Sequence, residues 1–195
     1  MDNKMFCFQC EQTAGCTGCT GRAGVCGKTS DVAKLQDQLT GALVGLAHAL
    51  DNAPEVNEGT WQLIIEGLFT TVTNVSFNEK TLCGLIERVH EEKASLLPGC
   101  AVCSSTCGRT DDYDMEKVWN AQEDIRSLKS LILFGIRGMA AVSYTHLDVY
   151  KRQRPSRSIT STNPKCFLRL TTSITSTRLS SKSRSSAVRE IWAKR

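Results

Sequence analysis

Four cysteines stand within a short stretch near the start of the chain, in the spacing Cys-x2-Cys-x8-Cys-x6-Cys: Cys7, Cys10, Cys19 and Cys26. Thiolates are soft ligands, and all-cysteine ligation at such close spacing favours an iron–sulfur cluster. Intervening glycines allow backbone N–H groups to approach the sulfur atoms, and Arg22 and Lys28 can offset thiolate charge. The pattern therefore predicts a metal centre, although Cys16 could replace Cys19 as far as spacing alone is concerned.

Zinc and disulfides are the alternative uses of these cysteines. A zinc ribbon needs two Cys-x2-Cys pairs about 15–20 residues apart, whereas Cys7/Cys10 and Cys16/Cys19 are separated by only five residues. The first 30 residues contain no continuous apolar run of the kind that marks a signal peptide. We therefore expect a cytoplasmic, reducing location, in which disulfides are uncommon.

The composition changes abruptly along the chain. Residues 151–195 carry 12 Lys and Arg against the single acid Glu190, a net charge of +11, while residues 1–150 carry −7. The string 142–153 resembles translated sequencing-adapter text, and the residues after it resemble translation in a wrong reading frame. We predict that residues 143–195 form a basic Ser/Thr-rich tail that is disordered or non-native, with no nucleic-acid partner.

Apolar residues recur at helical spacing through the rest of the chain. The periodicity predicts helices over four segments: 30–50, 60–74, 79–95 and 115–141. Ser30 or Asp31 is predicted to cap the first helix, and Asn78 the third. The predicted fold is all-α, a helical bundle over residues 30–142 with a cysteine-rich cluster-binding loop over 1–29 at one end. No apolar run is long enough to cross a membrane, so no membrane partner is expected.

The remaining cysteines and histidines carry weaker signals. Three further thiols stand in a second loop and have no assigned role: Cys100, Cys103 and Cys107. Cys83 lies between leucines and is predicted to be a small core residue. His90 stands in a charged run and is predicted to lie on a solvated helix face. No catalytic group is predicted in this chain.

Three short strings resemble the amino-terminal signature of the hybrid cluster proteins, also called prismane proteins or hydroxylamine reductases: FCFQCEQT at 6–13, GCT at 18–20 and GVCGK at 24–28. The resemblance covers about residues 5–141. It implies cluster ligation by Cys7, Cys10, Cys19 and Cys26, and so favours Cys19 over Cys16. It also implies a helical amino-terminal domain with one iron–sulfur cluster, 4Fe-4S in preference to 2Fe-2S.

The function implied by this resemblance is the reduction of hydroxylamine to ammonia by the full-length protein. In the family, two α/β domains hold a hybrid iron–sulfur–oxygen cluster, and its ligands have no counterparts in this chain. The segment would then relay electrons from an unidentified donor protein and be inactive alone. Two other functions remain open: a stand-alone iron–sulfur electron carrier, and a zinc-stabilised binding module.

Overall fold

The computed structural model describes residues 5–10, 18–51, 56–72, 75–96 and 112–153, with side chains described up to residue 146. Helices occupy most of these residues, in this order: α1 Ser30–Asp51, α2 Glu58–Thr70, α3 Glu79–Leu96, α4 Glu116–Trp119 and α5 Glu123–Gln153. No strand occurs in these ranges, which contain one isolated antiparallel bridge, between Cys7 and Cys19. The predicted all-α fold is confirmed.

The first three helices begin at side-chain caps. At α3 the side chain of Asn78 accepts a hydrogen bond from the backbone N–H of Lys80 at 3.0 Å, as predicted. At α1 the hydroxyl of Thr29 accepts from the N–H of Val32 at 3.3 Å. Thr29 therefore takes the place that we predicted for Ser30 or Asp31, and Ser30 is already the first helical residue.

The last predicted helix is divided in two. A turn over residues 120–122 separates α4 from α5. The N–H of Asn120 donates to the carbonyl of Glu116 at 2.9 Å and closes the last turn of α4. Arg126 bridges the break: its guanidinium lies 4.7 Å from the ring centre of Trp119 and donates to the Trp119 carbonyl at 3.4 Å. Cation–π contact and hydrogen bond together fix the direction of α4 relative to α5.

The helix α5 continues past the predicted boundary at residue 142 and ends at Gln153. Just beyond that boundary the ring of Tyr144 stacks on Phe69 of α2, with ring centres 4.2 Å apart and planes inclined by 12°. The division of the chain into residues 1–29, 30–142 and 143–195 stays a prediction, and residues 154–195 lie outside the described ranges.

The core forms where α1 packs on α3 and α2 packs on α5. Its fully buried leucines include Leu39, Leu46 and Leu82, and truncation of such a side chain to alanine costs about 2–5 kcal/mol. Phe8, which lies between two of the predicted cysteine ligands, belongs to the same core cluster. The segment Cys7–Cys10, called the thiol segment below, is thus packed onto the bundle. No helix in the described part of the chain is long and apolar enough to cross a membrane.

Candidate metal centre

The first predicted ligand, Cys7, is held in place by its aromatic neighbours. In an extended segment alternate residues point to opposite sides, so Phe6 and Phe8 share one side while Cys7 points to the other. Both rings pack on Trp119 of α4, each with its centre 5.2 Å from the indole centre. This contact ties the thiol segment to α4, which lies far from it in the sequence.

Cys7 and Cys19 face one another across the isolated bridge. The N–H of Cys7 donates to the carbonyl of Cys19 at 3.2 Å, and the N–H of Cys19 donates to the carbonyl of Cys7 at 2.8 Å. Gly18 makes this approach possible, since its φ is +89° and a Cβ there would lie 3.0 Å from the ring of Phe6. Both cysteines are buried, in one cluster with Met5 and Ala33.

Cys26 lies in a glycine turn beside that cluster. The N–H of Gly27 donates to the carbonyl of Gly24, and the N–H of Gly24 donates to the carbonyl of Lys28, both at 2.8 Å. A Cβ at Gly24 would lie 3.4 Å from Cys26 Sγ and 3.3 Å from the methyl carbon of Met5. The Cys26 thiol and the Met5 methyl group therefore both border Gly24, and Met5 also packs with Cys7 and Cys19.

Lys28 and Gln9 form the polar side of the site. Lys28 is buried, and its Nζ lies 3.7 Å from Cys7 Sγ and donates to Gln9 Oε1 at 3.2 Å. The amide nitrogen of Gln9 donates to the carbonyl of Ala33 at 3.4 Å and to the carboxylate of Asp37. Both ends of the Gln9 side chain are thus used, and they place the Lys28 ammonium group against the sulfur of Cys7, a predicted ligand.

Arg137 of α5 reaches the same segment from the opposite direction. It is buried and donates to the Gln9 carbonyl at 3.3 Å, to Thr71 Oγ1 at 3.0 Å and to Thr40 Oγ1 at 3.1 Å. Its guanidinium therefore joins α1, the end of α2 and α5 to the backbone between Cys7 and Cys10.

Burial dominates the ionisation of these groups. It raises the pKa of the Cys7 thiol, against the opposing effects of a backbone hydrogen bond at Gln9 and the charge of Lys28. Burial raises the pKa of Asp37 to about 6, against the Gln9 hydrogen bond and the charge of Arg137. Burial also lowers the pKa of Arg137 to about 10, although Asp37 opposes this change. Desolvation accordingly outweighs the attraction between these two residues.

The donor set suits a polynuclear iron–sulfur group. Within the described ranges, no three Cys, His, Asp or Glu side chains lie close enough together to hold a single metal ion. In a 4Fe-4S cluster each cysteine binds a different iron atom, so its ligands need not meet at one point. Thiolate ligands bring negative charge, and the buried cations Lys28 and Arg137 supply the opposite charge beside Cys7 and Cys10. The residues fit such a group on chemistry.

Not every residue singled out in the sequence falls where we expected. Cys83, predicted to lie in the core, is exposed on α3. His90, predicted to lie on a solvated face, is buried with Nε2 2.7 Å from Asp112 Oδ2. Of the two predicted charge-offsetting residues, Arg22 is exposed, whereas Lys28 contacts the sulfur of the predicted ligand Cys7. Five cysteines lie outside the described residues, and their roles are untested: Cys16, Cys100, Cys103, Cys107 and Cys166.

The sequence reasoning missed Asp37 and Arg137. A signal for Arg137 was available, because it directly follows buried Ile136 and stands three residues before buried Ala140 on the core side of α5. A cation at such a position needs polar partners. No comparable signal marked Asp37, which lies on the half-buried edge of α1.

Fold and site together define a helical domain that carries a cysteine-rich loop suited to iron–sulfur binding. The profile of the Prismane/CO dehydrogenase family matches residues 5–187. The hydroxylamine reductase of Clostridium perfringens is 41% identical over 161 residues, covering 70% of this chain and 29% of the relative. That of Methanocaldococcus jannaschii is 36% identical over 176 residues, covering 75% and 31%.

The chain belongs to the Prismane/CO dehydrogenase family. It spans about 30% of the length of these curated relatives. The profile match extends past residue 141, where the resemblance that we read from the sequence ends.

Proposed function

We propose that Cys7, Cys10, Cys19 and Cys26 hold one iron–sulfur cluster, 4Fe-4S in preference to 2Fe-2S. The observation that carries this proposal is the pairing of buried Cys7 and Cys19, with the Lys28 ammonium 3.7 Å from Cys7 Sγ. An N–H···S contact from a cation stabilises thiolate and disfavours the neutral thiol. A buried thiol in such surroundings is suited to metal ligation.

In the whole protein, the relatives' name supplies the reaction: reduction of hydroxylamine. Two electrons and two protons convert hydroxylamine to ammonia and water. We propose that this domain passes electrons towards a catalytic centre held by the portion of the relatives' length that this chain does not span. Its own contribution is to hold the cluster, exclude water from Cys7 and Cys19, and supply the countercharges Lys28 and Arg137. A cluster supplies one-electron transfer when bound.

The test is iron and acid-labile sulfide content of anaerobically reconstituted protein, together with visible absorption. We expect stoichiometric iron and sulfide and a brown colour from thiolate-to-iron charge transfer. Cys7→Ser, Cys10→Ser, Cys19→Ser and Cys26→Ser should each lose or damage the cluster, since each removes a ligand. Cys83→Ser is the matched control, because this thiol is exposed on α3 and should leave iron content unchanged.

Cys16→Ser decides the alignment of the loop. Iron that is lost in Cys16→Ser and retained in Cys19→Ser would show that Cys16 is the ligand. Stoichiometric zinc without visible absorption would refute the iron–sulfur proposal altogether. With hydroxylamine and a reduced viologen, the chain alone should show no turnover above the free iron–sulfide background, because the four thiolates leave no open iron position.

A further inference from the structure

Two buried cations approach the thiol segment from unrelated parts of the sequence. Lys28 stands two residues after the last predicted ligand, and Arg137 lies on α5, yet both are only 4% exposed and both hydrogen-bond to Gln9. Burial of an ammonium or guanidinium group is costly unless negative charge lies nearby. Two such groups at one residue call for an explanation beyond packing.

Among the described residues, no salt bridge balances the charge of Arg137. Its three hydrogen bonds among the described residues all end on neutral oxygens, those of Gln9, Thr40 and Thr71. Asp37 contributes some attraction, but burial still lowers the pKa of Arg137 to about 10. The guanidinium therefore has unused capacity to stabilise negative charge.

The contacts of Lys28 point the same way. Its Nζ donates to the neutral oxygen of Gln9, and lies 3.7 Å from a sulfur that would carry negative charge when ligating iron. Gln9 is itself fixed by Asp37 and by the Ala33 carbonyl, so the ammonium group is held in position. Lys28 thus contacts a ligand atom, whereas Arg137 acts through the Gln9 backbone.

We propose that Lys28 and Arg137 are charge-compensating residues that raise the reduction potential of the cluster, Arg137 also positioning the Cys7–Cys10 segment. The inference rests on the proposed function. Reduction adds one electron from an external one-electron reductant, here a viologen radical, and breaks no bond. The extra negative charge is stabilised by nearby cations, so loss of either cation should favour the oxidised state.

The experiment is a spectroelectrochemical titration of iron-loaded protein with viologen mediators, beside iron counts and thermal unfolding. Lys28→Met and Arg137→Met remove the charge and keep an unbranched side chain. At the wild-type midpoint potential, each should lower the ratio of reduced to oxidised cluster about tenfold, which is about 59 mV for a one-electron couple. Lys28→Arg and Arg137→Lys keep the charge and should stay within about threefold of wild type.

Lys129→Met is the matched control. Lys129 is also a buried cation of α5, with 4% exposure, but it donates to the Tyr113 hydroxyl at 3.3 Å and has no contact with a described thiol. This variant should lose stability and keep the wild-type midpoint potential. A merely structural role for Lys28 and Arg137 would make all three methionine variants behave alike.

Each remaining outcome decides the question. Methionine variants that bind iron normally at an unshifted potential would overturn the inference and leave the proposed function standing. If the methionine variants lose iron, the reduction potentials of Lys28→Gln and Arg137→Gln are measured instead, because glutamine keeps a hydrogen-bond donor without charge. An unshifted potential in these variants would again overturn the inference. Loss of iron in the glutamine variants with retention in Lys28→Arg and Arg137→Lys supports charge compensation, while loss in all of them refutes it. A wild-type chain that takes up no iron refutes the proposed function and this inference with it.

Discussion

Replacing Gly41 by alanine should destabilise the protein, although alanine is the better helix former. Gly41 lies within α1 where the chain crosses it at Tyr113, whose N–H donates to the Gly41 carbonyl at 3.1 Å. A Cβ at Gly41 would overlap the Tyr113 carbonyl oxygen and lie 3.3 Å from its carbonyl carbon. The neighbour is backbone, so no side chain can rotate away to relieve the contact.

The magnitude is set by two opposing effects. A Gly→Ala change inside a helix contributes about 1 kcal/mol of stability through propensity. Overpacking against well-fixed atoms costs about 1–3 kcal/mol, and the upper end applies here because the atoms are backbone. The net change for Gly41→Ala is therefore a loss of about 2 kcal/mol, or about 4–8 °C in Tm for a chain of this size.

Gly84→Ala is the matched control for Gly41→Ala. It makes the same substitution inside a helix, α3, but a Cβ at Gly84 would meet nothing within 4 Å. Only the propensity effect applies, so this variant should gain up to about 1 kcal/mol, or about 2–4 °C in Tm. Thermal and urea unfolding followed by circular dichroism give both values.

The consequence of Gly41→Ala should extend to the metal centre. Tyr113 shortly precedes α4, whose Trp119 packs on Phe6 and Phe8 at either side of Cys7. Displacement of Tyr113 should therefore lower iron content in Gly41→Ala and leave it unchanged in Gly84→Ala. Equal stabilisation of the two variants would show that the chain does not cross α1 at Gly41, and the reasoning would fail at its first step.

Two further predictions concern buried ionisable groups. The pKa of Asp37 is about 6 in the folded protein against 3.8 in the unfolded chain, so the folded state binds a proton more tightly. The free energy of unfolding should therefore fall as pH rises from about 4 to 6, by at most about 3 kcal/mol. Urea unfolding of Asp37→Asn should lack this decline, and a pH profile that is the same for Asp37→Asn and wild type would contradict the prediction. Asp112→Ala should lower the free energy of unfolding by about 2–3 kcal/mol, since it leaves His90 and Lys93 without this carboxylate. The loss is below the range for fully buried pairs because the Asp112 side chain is 25% exposed. Asp124→Ala, exposed on the first turn of α5, should change unfolding by less than about 0.5 kcal/mol, and a similar loss there would refute a specific role for Asp112.

Helical periodicity predicted the bundle because it is a local property of each segment. The predicted ranges 30–50 and 79–95 differ from α1 and α3 by a residue at one end. The choice of cap was harder, since Thr29, Ser30 and Asp31 are all good N-cap residues and only the path of the incoming chain selects Thr29. The break at 120–122 was missed because no glycine or proline marks it.

The faces of α3 show where sequence patterns fail. Its apolar residues predicted the helix correctly, but Cys83 and His90 exchanged their expected environments. His90 is buried because Asp112, which precedes α4, supplies a carboxylate at 2.7 Å. A partner so distant in sequence leaves no trace in the local pattern, so a buried polar pair looks like a solvated charge run.

The metal centre shows the same division between local and distant information. Cysteine spacing together with the family resemblance predicted Cys7, Cys10, Cys19 and Cys26 as ligands, and the same local reasoning predicted Lys28 as a charge-offsetting residue. The environment of those ligands depends on Asp37 and Arg137, which only the tertiary packing of the helices brings to Gln9. A strong ion pair between them would lower the pKa of Asp37 and raise that of Arg137, and both shifts have the opposite sign.

These opposite signs mean that burying either charge costs more than their mutual attraction returns. These buried charges lie beside the predicted ligands. Along the rest of α5 the buried side chains are chiefly apolar. Under our proposal the cost is offset when the thiolates and their cluster bring negative charge next to Lys28 and Arg137. Cluster binding and folding are then coupled, because the native state binds the group and the unfolded chain lacks the preformed site. The same two cations that would set the reduction potential would also make the domain's stability depend on its cluster.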